Sequence, residues 1–386
     1  MKVLKFGGTS VGSVESIQRV KKIVDAMAEP AIVVVSAVGG ITDKLIATTT
    51  KAVTSDTTYT TDFENICNIH NTIIDGVVPA DKLTSVKEQV NVLLEEVGTI
   101  LKSVEGIENI SSKDMDLVVS YGERISSIIV ASVLNAKHWN SLELIKTNKG
   151  LRKNILNSAL TYSNLENAYN GEERIVMGGF ISSDVESGEI TNLGRGGSDY
   201  TAAIVAGALN ADALEIWTDV DGVRSADPRK VENTKYLEKI SFEEAAEMAH
   251  FGAKVLHPLT IEPAVKKNIP IYVLNSMNPS GKGTAILRNE LIEDGVKSVS
   301  FKENIRVINI FSMRMINTSG FLRRVFEIFS ENRVSVDLIS TSEANISVTV
   351  DAGEKIDKTV AELSEFCDVI VDDDKSQVSV IGKNIV

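Results

Sequence analysis

The chain opens with MKVLKFGGTSVGS, which places a lysine just before a cluster of glycines and hydroxyl side chains. Lys5 stands near the end of a strand-like run, and Gly7 and Gly8 follow it. A P-loop is excluded, because in GxxxxGK[ST] the lysine comes after the glycines. Glycines let a ligand approach the backbone closely, and the first N–H groups of the helix that follows can bind an anion. Taken alone, the stretch fits an anion site and an ordinary structural turn equally well.

A second glycine cluster, NLGRGGSDYTAAIVAGAL at residues 192–209, contains an arginine. Ser198 or Asp199 is predicted to cap the helix that follows. An ordinary N-cap accounts for those two residues but leaves Arg195 unexplained. An arginine among glycines beside a helix N-terminus suits a carboxylate or a phosphate. We therefore expect an anionic ligand at this loop.

Three aspartates follow a predicted strand in WTDVDGVRSADPR, residues 217–229. Asp219, Asp221 and Asp227 do not complete a calcium loop, because the closing glutamate of the EF-hand pattern is missing. A loop that binds adenine or ribose is the favoured interpretation.

A fourth segment, HFGAKVLHP at residues 250–258, places Lys254 among small residues. Contact with phosphate and a solvated helix lysine both remain open for this side chain. The chain has four histidines, His70, His138, His250 and His257, and they show neither HxH nor HExxH spacing. No metal site built by the protein is therefore expected.

The elements that position these clusters alternate between strands and helices. Strands are predicted at residues 2–6, 31–35, 175–181, 213–217 and 269–274, and the stretch 116–120 leads into a helix over 125–134. Such alternation predicts an α/β fold with a largely parallel sheet covered on both faces. Ligands of such folds bind beyond the carboxyl ends of the strands. The polar clusters are thus expected to converge on one rim.

The pattern changes after residue 289. Strands are predicted at 306–312, 334–339, 346–350 and 369–371, with helices after Gly320 and at 358–366. The order β-α-β-β-α-β describes a ferredoxin-like module.

Composition limits the class of protein. The 386 residues suit two domains, with 43% hydrophobic and 24% charged residues. The net charge of −13 argues against a surface for nucleic acid. No apolar stretch has the length of a membrane helix, and the start is too short for a signal peptide. Cys67 and Cys367 are predicted to be buried free thiols in a reducing compartment, and the cytoplasm is the default location.

Together the clusters resemble the aspartokinases, the aspartate kinases of the amino acid kinase family. The matching segments occur in family order over nearly the whole chain: KFGGTSVGS (5–13), VVSAVGGITDKL (34–45), SYGERIS (120–126), GRGGSDYTA (194–202), TDVDGV (218–223), ADPR (226–229), FGAKVLHP (251–258) and NPSGKGT (278–284).

The resemblance implies an amino acid kinase domain over residues 1–290. It also implies transfer of the ATP γ-phosphoryl group to the β-carboxylate of L-aspartate, giving 4-phospho-L-aspartate for lysine, threonine and methionine biosynthesis. A carboxylate with a pKa of about 4 is ionised at neutral pH, so no general base is needed. Cations, N–H groups and alignment must instead overcome the repulsion between this anion and a triphosphate.

By resemblance, the catalytic residues are Lys5, which contacts the phosphates, and Asp199, which orients the lysine. The predicted aspartate site pairs Arg195 with the α-carboxylate and Glu123 with the α-ammonium, completed by Ala37, Thr42, Phe180 and Ser198. The predicted nucleotide site comprises Lys5, Gly7, Gly8, Ser36, Thr218, Asp219, Arg229 and Lys254. Mg²⁺ is expected to arrive with ATP and to be held mainly by phosphate oxygens. Many relatives carry a tyrosine where this chain has Arg224, which leaves the stacking contact there open.

Residues 303–377 resemble the ACT domain of the lysine-regulated aspartokinases, which implies lysine as effector and a homodimer or larger assembly through ACT domains. The residues that match the effector pocket are Met315, Thr318, Gly320, Phe321, Leu322, Val336, Asp337, Ser342 and Glu343. Asp337 and Glu343 suit a cationic side chain, and the helix after Gly320 can meet a carboxylate. Alternatively, Asp337 and Glu343 are solvated acidic residues on the surface of a small domain.

Residues 296–302 and 379–386 look like fragments of a second ACT domain, since the family has two. The strand at 378–381 is expected to lack a partner and to expose an apolar edge. We therefore expect a shortened chain whose assembly is altered and whose activity is only weakly inhibited by lysine.

Two other functions remain open on the sequence. One is an amino-acid-sensing protein with an inactive kinase-like domain, which the presence of Lys5, Arg195 and Asp199 disfavours. The other is a sister kinase of glutamate or N-acetylglutamate, which the ACT module and the SYGERIS segment disfavour.

Overall fold

The computed structural model describes residues 1–107, 109–150, 154–171, 174–250 and 258–385. Within these ranges the strands are β1 (Lys2–Phe6), β2 (Ala31–Val35), β3 (Lys137–Trp139), β4 (Lys146–Asn148), β5 (Ile155–Leu156), β6 (Arg174–Gly178), β7 (Ile181–Asp184), β8 (Ile190–Asn192), β9 (Ala213–Thr218), β10 (Lys239–Ser241), β11 (Ile271–Asn275), β12 (Thr284–Leu287), β13 (Gly295–Phe311), β14 (Ile339–Thr341), β15 (Asn345–Asp351) and β16 (Asp368–Lys383). The α-helices are α1 (Val14–Asp25), α2 (Ile41–Val53), α3 (Tyr59–Val77), α4 (Leu83–Ser103), α5 (Ser112–Val133), α6 (Ser141–Leu144), α7 (Ser158–Ala168), α8 (Gly197–Ala208), α9 (Phe242–His250), α10 (Pro258–Lys266), α11 (Phe321–Glu331) and α12 (Asp357–Ser364).

An eight-stranded sheet organises the first part of the chain, in the order β10-β12-β11-β9-β1-β2-β6-β3. Its pairs are parallel except for β11 with β12. Strand β1 lies in the middle, where Lys5 is opposite Val34 of β2 and Ile216 of β9. The predicted α/β class is confirmed, and Lys5 stands at the carboxyl edge.

Helices cover both faces of this sheet, as the apolar strand sequences require. All five residues of β2 are buried. Val33 and Val35 pack into a core that includes apolar residues of α1 to α5, whereas Ile32 and Val34 pack into a second core with α8 and α10. The alternation follows the two-residue period of a strand.

Three predicted boundaries are wrong. The helix expected at 125–134 begins at Ser112, upstream of the stretch 116–120. The strand expected at 175–181 is divided into β6 and β7, because Phe180 adopts a left-handed conformation between them. Neither Ser198 nor Asp199 caps α8: Gly196 does, with a φ of 72°, so both residues lie in the first helical turn.

The C-terminal module has the predicted ferredoxin-like character, with a four-stranded sheet in the order β14-β15-β13-β16. Its core joins Val325 and Phe329 of α11 and Leu363 of α12 to strand residues such as Ile308 and Val348. The strand expected at 334–339 is shorter and lies later in the chain, as β14 at Ile339–Thr341. The preceding residues still pair with β15, since Asp337 N donates to Thr349 O and Thr349 N donates to Leu338 O.

Strands β13 and β16 extend beyond this module as a two-stranded antiparallel ribbon, in which Phe301 is opposite Val378 and Val299 is opposite Val380. The expectation of an unpaired strand at 378–381 is therefore wrong. We call residues 295–302 of β13 and 377–383 of β16 the ribbon.

Two further sequence predictions concern the environment of the chain. None of the helices in the described ranges combines the length and apolar character that a membrane crossing requires. Both cysteines are free, as predicted; Cys367 is buried, but Cys67 is only half-buried, so its predicted burial is wrong.

Candidate active site

The loops after β1, β2 and β6 and the start of α8 surround one cavity of about 560 Å³ at the carboxyl edge of the sheet. The predicted residues that line it are Lys5, Gly8, Ser36, Ala37, Thr42, Glu123, Phe180, Arg195, Ser198 and Asp199. The structure thus brings together the predicted catalytic pair, the whole predicted aspartate site, and Lys5, Gly8 and Ser36 of the predicted nucleotide site. We call this space the main cavity.

A lysine–aspartate ion pair lines the main cavity. The Nζ of Lys5, from β1, is 2.8 Å from the Oδ1 of Asp199, from the first turn of α8. Only 13% and 16% of the two side chains are exposed. Because partial burial strengthens the attraction, Asp199 holds the ammonium of Lys5 in one place.

A hydroxyl contact joins the loops on either side of this pair. Ser36 Oγ donates to Ser198 Oγ at 3.0 Å, and the backbone N–H of Ser36 donates to Phe6 O at the end of β1. The loop after β2 is thereby fixed to both β1 and α8.

Glu123 provides a buried carboxylate in the wall of the main cavity. It projects from α5, is 4% exposed, and its Oε2 has no hydrogen-bond partner among the described residues. Burial raises the pKa of Glu123 to about 7, although the backbone N–H of Ala37 donates to the carboxylate and opposes this shift. A cationic ligand group beside Oε2 would remove the cost of burying its charge.

Two glycines allow the walls of the cavity to approach each other. A Cβ on Gly179 would lie 2.7 Å from Ser198 Cα, and a Cβ on Gly122 would lie 2.7 Å from Ala37 Cβ. Both distances are well inside carbon–carbon contact, so any larger residue would displace a loop.

The backbone of Phe180 is strained at the same place. Its φ of 66° is an outlier for a bulky residue. The backbone N–H of Phe180 donates to Thr201 Oγ1 at 3.0 Å, and its carbonyl accepts from Leu193 N at 2.9 Å. These hydrogen bonds maintain the backbone conformation in which Phe180 lines the cavity.

Arg195 lies at the exposed mouth of the main cavity. Its neighbours Gly194 and Gly196 have φ values of 75° and 72°, which glycine adopts without strain. The turn closes with a hydrogen bond from Gly197 N to Gly194 O at 2.9 Å. The guanidinium is therefore carried by a tight loop directly before the N-terminus of α8.

A second cavity of about 320 Å³ follows β9, the neighbour of β1 in the sheet. Its lining includes the predicted nucleotide residues Thr218, Asp219 and Arg229, together with Arg224 and residues 298–301 of the ribbon. We call this space the second cavity. Gly7 connects the two regions, because its N–H donates to Trp217 O. Lys254 lies outside the described residues.

Two arginines shape the loop around the second cavity. Arg229 pairs with Asp227 at 2.8 Å, and this hydrogen bonding lowers the pKa of Asp227 to about 2. The guanidinium of Arg224 lies 4.1 Å from the ring centroid of Tyr236 and donates to its hydroxyl. Arg224 therefore stacks on a protein ring in this structure.

The predicted effector residues fall into two groups. Met315, Thr318, Gly320, Phe321 and Leu322 lie before and at the start of α11, and Val336, Asp337, Ser342 and Glu343 lie on either side of β14. Glu343 is exposed. Asp337, in contrast, already accepts from the ammonium of Lys302 at 2.6 Å.

Sequence reasoning missed Lys302 and several lining residues. Asp43 and the backbone of residues 38–40 also line the main cavity, and their signal was present in the segment VVSAVGGITDKL. No local motif marked Lys302, because its contact depends on strand register. Within the described ranges no cluster of three or more histidine, cysteine or acidic residues is arranged to hold a metal ion.

Comparison with known proteins agrees with this architecture. Residues 1–275 match the model of the amino acid kinase family, and residues 308–365 match an ACT domain. The chain is 34% identical to lysine-sensitive aspartokinase 3 of Escherichia coli (strain K12), over 99% of this chain and 87% of that protein. It is also 34% identical to the chloroplastic aspartokinase 3 of Arabidopsis thaliana, over 98% of this chain and 71% of that protein.

A solved structure extends the likeness to three dimensions. The crystal structure of E. coli aspartokinase III in complex with aspartate and ADP, in its R-state, has a TM-score of 0.85 to this structure at 32% identity, over 100% of this chain and 88% of that one. The match thus includes both the sheet with its cavities and the C-terminal module. On this evidence the chain belongs to the aspartokinases of the amino acid kinase family.

Proposed function

We propose that this chain transfers the γ-phosphoryl group of ATP to the β-carboxylate of L-aspartate. The observation that carries the proposal is the main cavity, which joins a partly buried Lys5–Asp199 pair to the cationic Arg195 and the buried carboxylate of Glu123. Free L-aspartate has two carboxylates and one ammonium, and this arrangement offers a partner to each kind of group. The relative crystallised with aspartate and ADP supports the assignment.

The chemistry requires charge stabilisation more than proton transfer. The β-carboxylate is ionised at neutral pH and can attack phosphorus directly. Its approach to a triphosphate is opposed by like-charge repulsion, which cations in a partly buried site reduce. We assign this role to Lys5, with Asp199 as the residue that positions its ammonium.

Recognition of aspartate is assigned to the remaining cavity residues. Arg195 binds the α-carboxylate and Glu123 the α-ammonium. Once the ammonium lies beside Oε2, the carboxylate of Glu123 is favoured over its acid form. The pocket is completed by Ala37, Thr42, Phe180 and Ser198.

The nucleotide is proposed to extend from the main cavity to the second cavity. The phosphates lie near Lys5, Gly7, Gly8 and Ser36, and the nucleoside lies near Thr218, Asp219 and Arg229, with Lys254 as a further predicted contact. Magnesium carried by the phosphate oxygens supplies additional positive charge when bound.

Regulation is assigned to the C-terminal part. We propose that lysine binds around α11 and β14, that ACT domains mediate a homodimer or larger assembly, and that the cytoplasm is the site of action. The domain limits of 1–290 and 303–377, with 296–302 and 379–386 belonging to a second ACT unit, remain part of this proposal.

ATP-dependent formation of an acyl hydroxamate tests the function. The purified chain is incubated with ATP, Mg²⁺, hydroxylamine and L-aspartate, L-glutamate or N-acetyl-L-glutamate. We expect hydroxamate from aspartate alone. Faster reaction with either glutamate substrate would assign a sister kinase, and absence of product with all three, despite ADP binding, would assign a sensing protein.

A further inference from the structure

The ribbon packs against the loop that follows β9. Val299 N donates to Ser225 O at 2.8 Å, and Lys230 both pairs with Glu303 at 2.8 Å and lies 5.5 Å from the ring centroid of Phe301. Phe301 lines the second cavity and is 38% exposed. The ribbon thus adds an accessible aromatic ring to a cavity whose other walls come from the loop at 218–229.

The next residue of β13 faces a different site. Successive side chains of a strand point to opposite faces. The Nζ of Lys302 lies 2.6 Å from Asp337 and 2.8 Å from Asp351, and the side chains of Lys302 and Asp337 are only 22% and 14% exposed. Phe301 and Lys302 therefore connect the second cavity to the predicted effector residue Asp337.

We propose that Phe301 is a nucleotide-binding residue on which the base of ATP stacks, and that the Lys302–Asp337 ion pair positions it by fixing the ribbon to the ACT module. A partly exposed aromatic ring suits a planar base of any identity. Arg224 is already stacked on Tyr236, so Phe301 is the aromatic ring that the cavity lining itself offers.

The same pair gives the effector a physical route to the nucleotide. A second ammonium at Asp337 would repel that of Lys302, so an effector cation bound there weakens the hold on the ribbon. By linkage, lysine must then lower the affinity for nucleotide by the same factor by which nucleotide lowers the affinity for lysine. This inference rests on the proposed nucleotide and effector sites and names the residues that couple them.

Calorimetric titration of the full chain with ADP tests the role of Phe301. Phe301→Ala should raise the Kd for ADP roughly tenfold, whereas Phe301→Trp should keep it near the parent value. Phe311→Ala is the matched control, because Phe311 is also an exposed phenylalanine of β13 but does not line the second cavity. Unchanged ADP affinity in Phe301→Ala would overturn the proposal. ADP binding requires no turnover, so this result is independent of whether aspartate is the acceptor.

The coupling is tested by repeating the ADP titration with and without saturating L-lysine. Lysine should raise the Kd for ADP several-fold in the parent and in Lys302→Arg. Lys302→Met should bind ADP more weakly without lysine and should show no further change when lysine is added. Lys297→Met, on the same ribbon, should behave like the parent. A full lysine effect in Lys302→Met, or none in the parent, would refute the coupling.

Discussion

The ammonium nitrogen of Lys5 lies 2.8 Å from the Oδ1 of Asp199, in a setting where less than a fifth of either side chain is exposed. Lys5 is the penultimate residue of the central strand β1, and Asp199 lies in the first turn of helix α8. The pair therefore depends on the fold as a whole, and it fixes a positive charge at the point where the proposed phosphate-binding residues meet the proposed aspartate site.

Replacing Lys5 by alanine should abolish most turnover while leaving the fold intact. Losing one cation that stabilises the transition state costs on the order of 3–4 kcal/mol, or at least ~100-fold in kcat. Steady-state kinetics with circular dichroism as a folding check measures this. Lys21→Ala, which removes an exposed lysine of α1, should retain normal kcat. Near-normal turnover in well-folded Lys5→Ala would contradict the assigned role.

Asp199 should act only through Lys5, which a double-mutant cycle can show. Asp199→Asn removes the group that positions the ammonium and should lower kcat, but the double variant should be no slower than Lys5→Ala alone. Additive losses would mean that Asp199 contacts the substrate or the metal independently.

Arg195→Ala should chiefly impair the use of aspartate. A charge-assisted partner that also aligns the substrate affects both KM and kcat, and we expect kcat/KM for aspartate to fall roughly 100-fold. ADP affinity should hardly change. Arg323→Ala, which removes an exposed arginine of α11, serves as control. If ADP affinity collapsed while aspartate affinity held, the two subsites would be assigned the wrong way round.

The buried carboxylate of Glu123 should make aspartate binding depend on pH. Because burial raises its pKa to about 7, the free enzyme is increasingly protonated below that pH and must lose a proton to accept the α-ammonium. Affinity for aspartate should therefore fall as the pH drops from about 8 to 6. Calorimetry in buffers of different ionisation enthalpy should detect net proton release near pH 6.5. Binding without proton release would contradict the pairing.

The same residue has a stability consequence of defined sign. The folded pKa of Glu123 lies above the unfolded value of 4.5, so folding favours the protonated acid. The contribution of this acid to the free energy of unfolding is fully present below about pH 4.5 and is lost as the pH rises towards 7. Glu123→Gln should raise the free energy of unfolding relative to the parent by up to about 3 kcal/mol at pH 8 and little at pH 5. Glu88→Gln, on an exposed position of α4, should show no such trend.

Gly122→Ala should disturb the site through packing. The added methyl group would lie 2.7 Å from Ala37 Cβ, so the loop after β2 or helix α5 must move. We expect about 1–3 kcal/mol of destabilisation, with a higher KM for aspartate. Gly353→Ala, where no atom lies within 4 Å of the new Cβ, is the matched control. Equal denaturation midpoints for both variants would refute the packing argument.

The sequence predicted the main sheet and much of the site because those signals are local. The apolar run at β2 and the Gly-Gly stretch after Lys5 identify buried strands and an edge loop without tertiary information. From parallel strands it follows that their carboxyl-end loops meet, and Lys5 at the end of β1 and Ser36 after β2 do line the same cavity. Arg195 and Asp199 reach this cavity from a different sheet, since they follow β8, which pairs with β7.

Features that depend on tertiary context were not predictable. The φ of Phe180 is maintained by Thr201 and Leu193, which lie elsewhere in the sequence. Pairing of the ribbon and the contact of Lys302 with Asp337 depend on strand register across the C-terminal module. Local propensity also misplaced the helix cap, since Ser198 is a good N-cap residue but Gly196 takes the position.

Transfer of a labelled oxygen tests the central claim most directly. L-aspartate carrying ¹⁸O in its β-carboxylate is incubated with the enzyme, ATP, Mg²⁺ and hydroxylamine, and the released phosphate is examined by ³¹P NMR. Hydroxylamine attacks the acyl carbon, so phosphate leaves with the oxygen that bridged it to aspartate. If the β-carboxylate is the nucleophile, each phosphate released in step with hydroxamate should carry one ¹⁸O, and Lys5→Ala should release almost none. Phosphate without label would show that the cavity activates water or another acceptor, and would contradict the account.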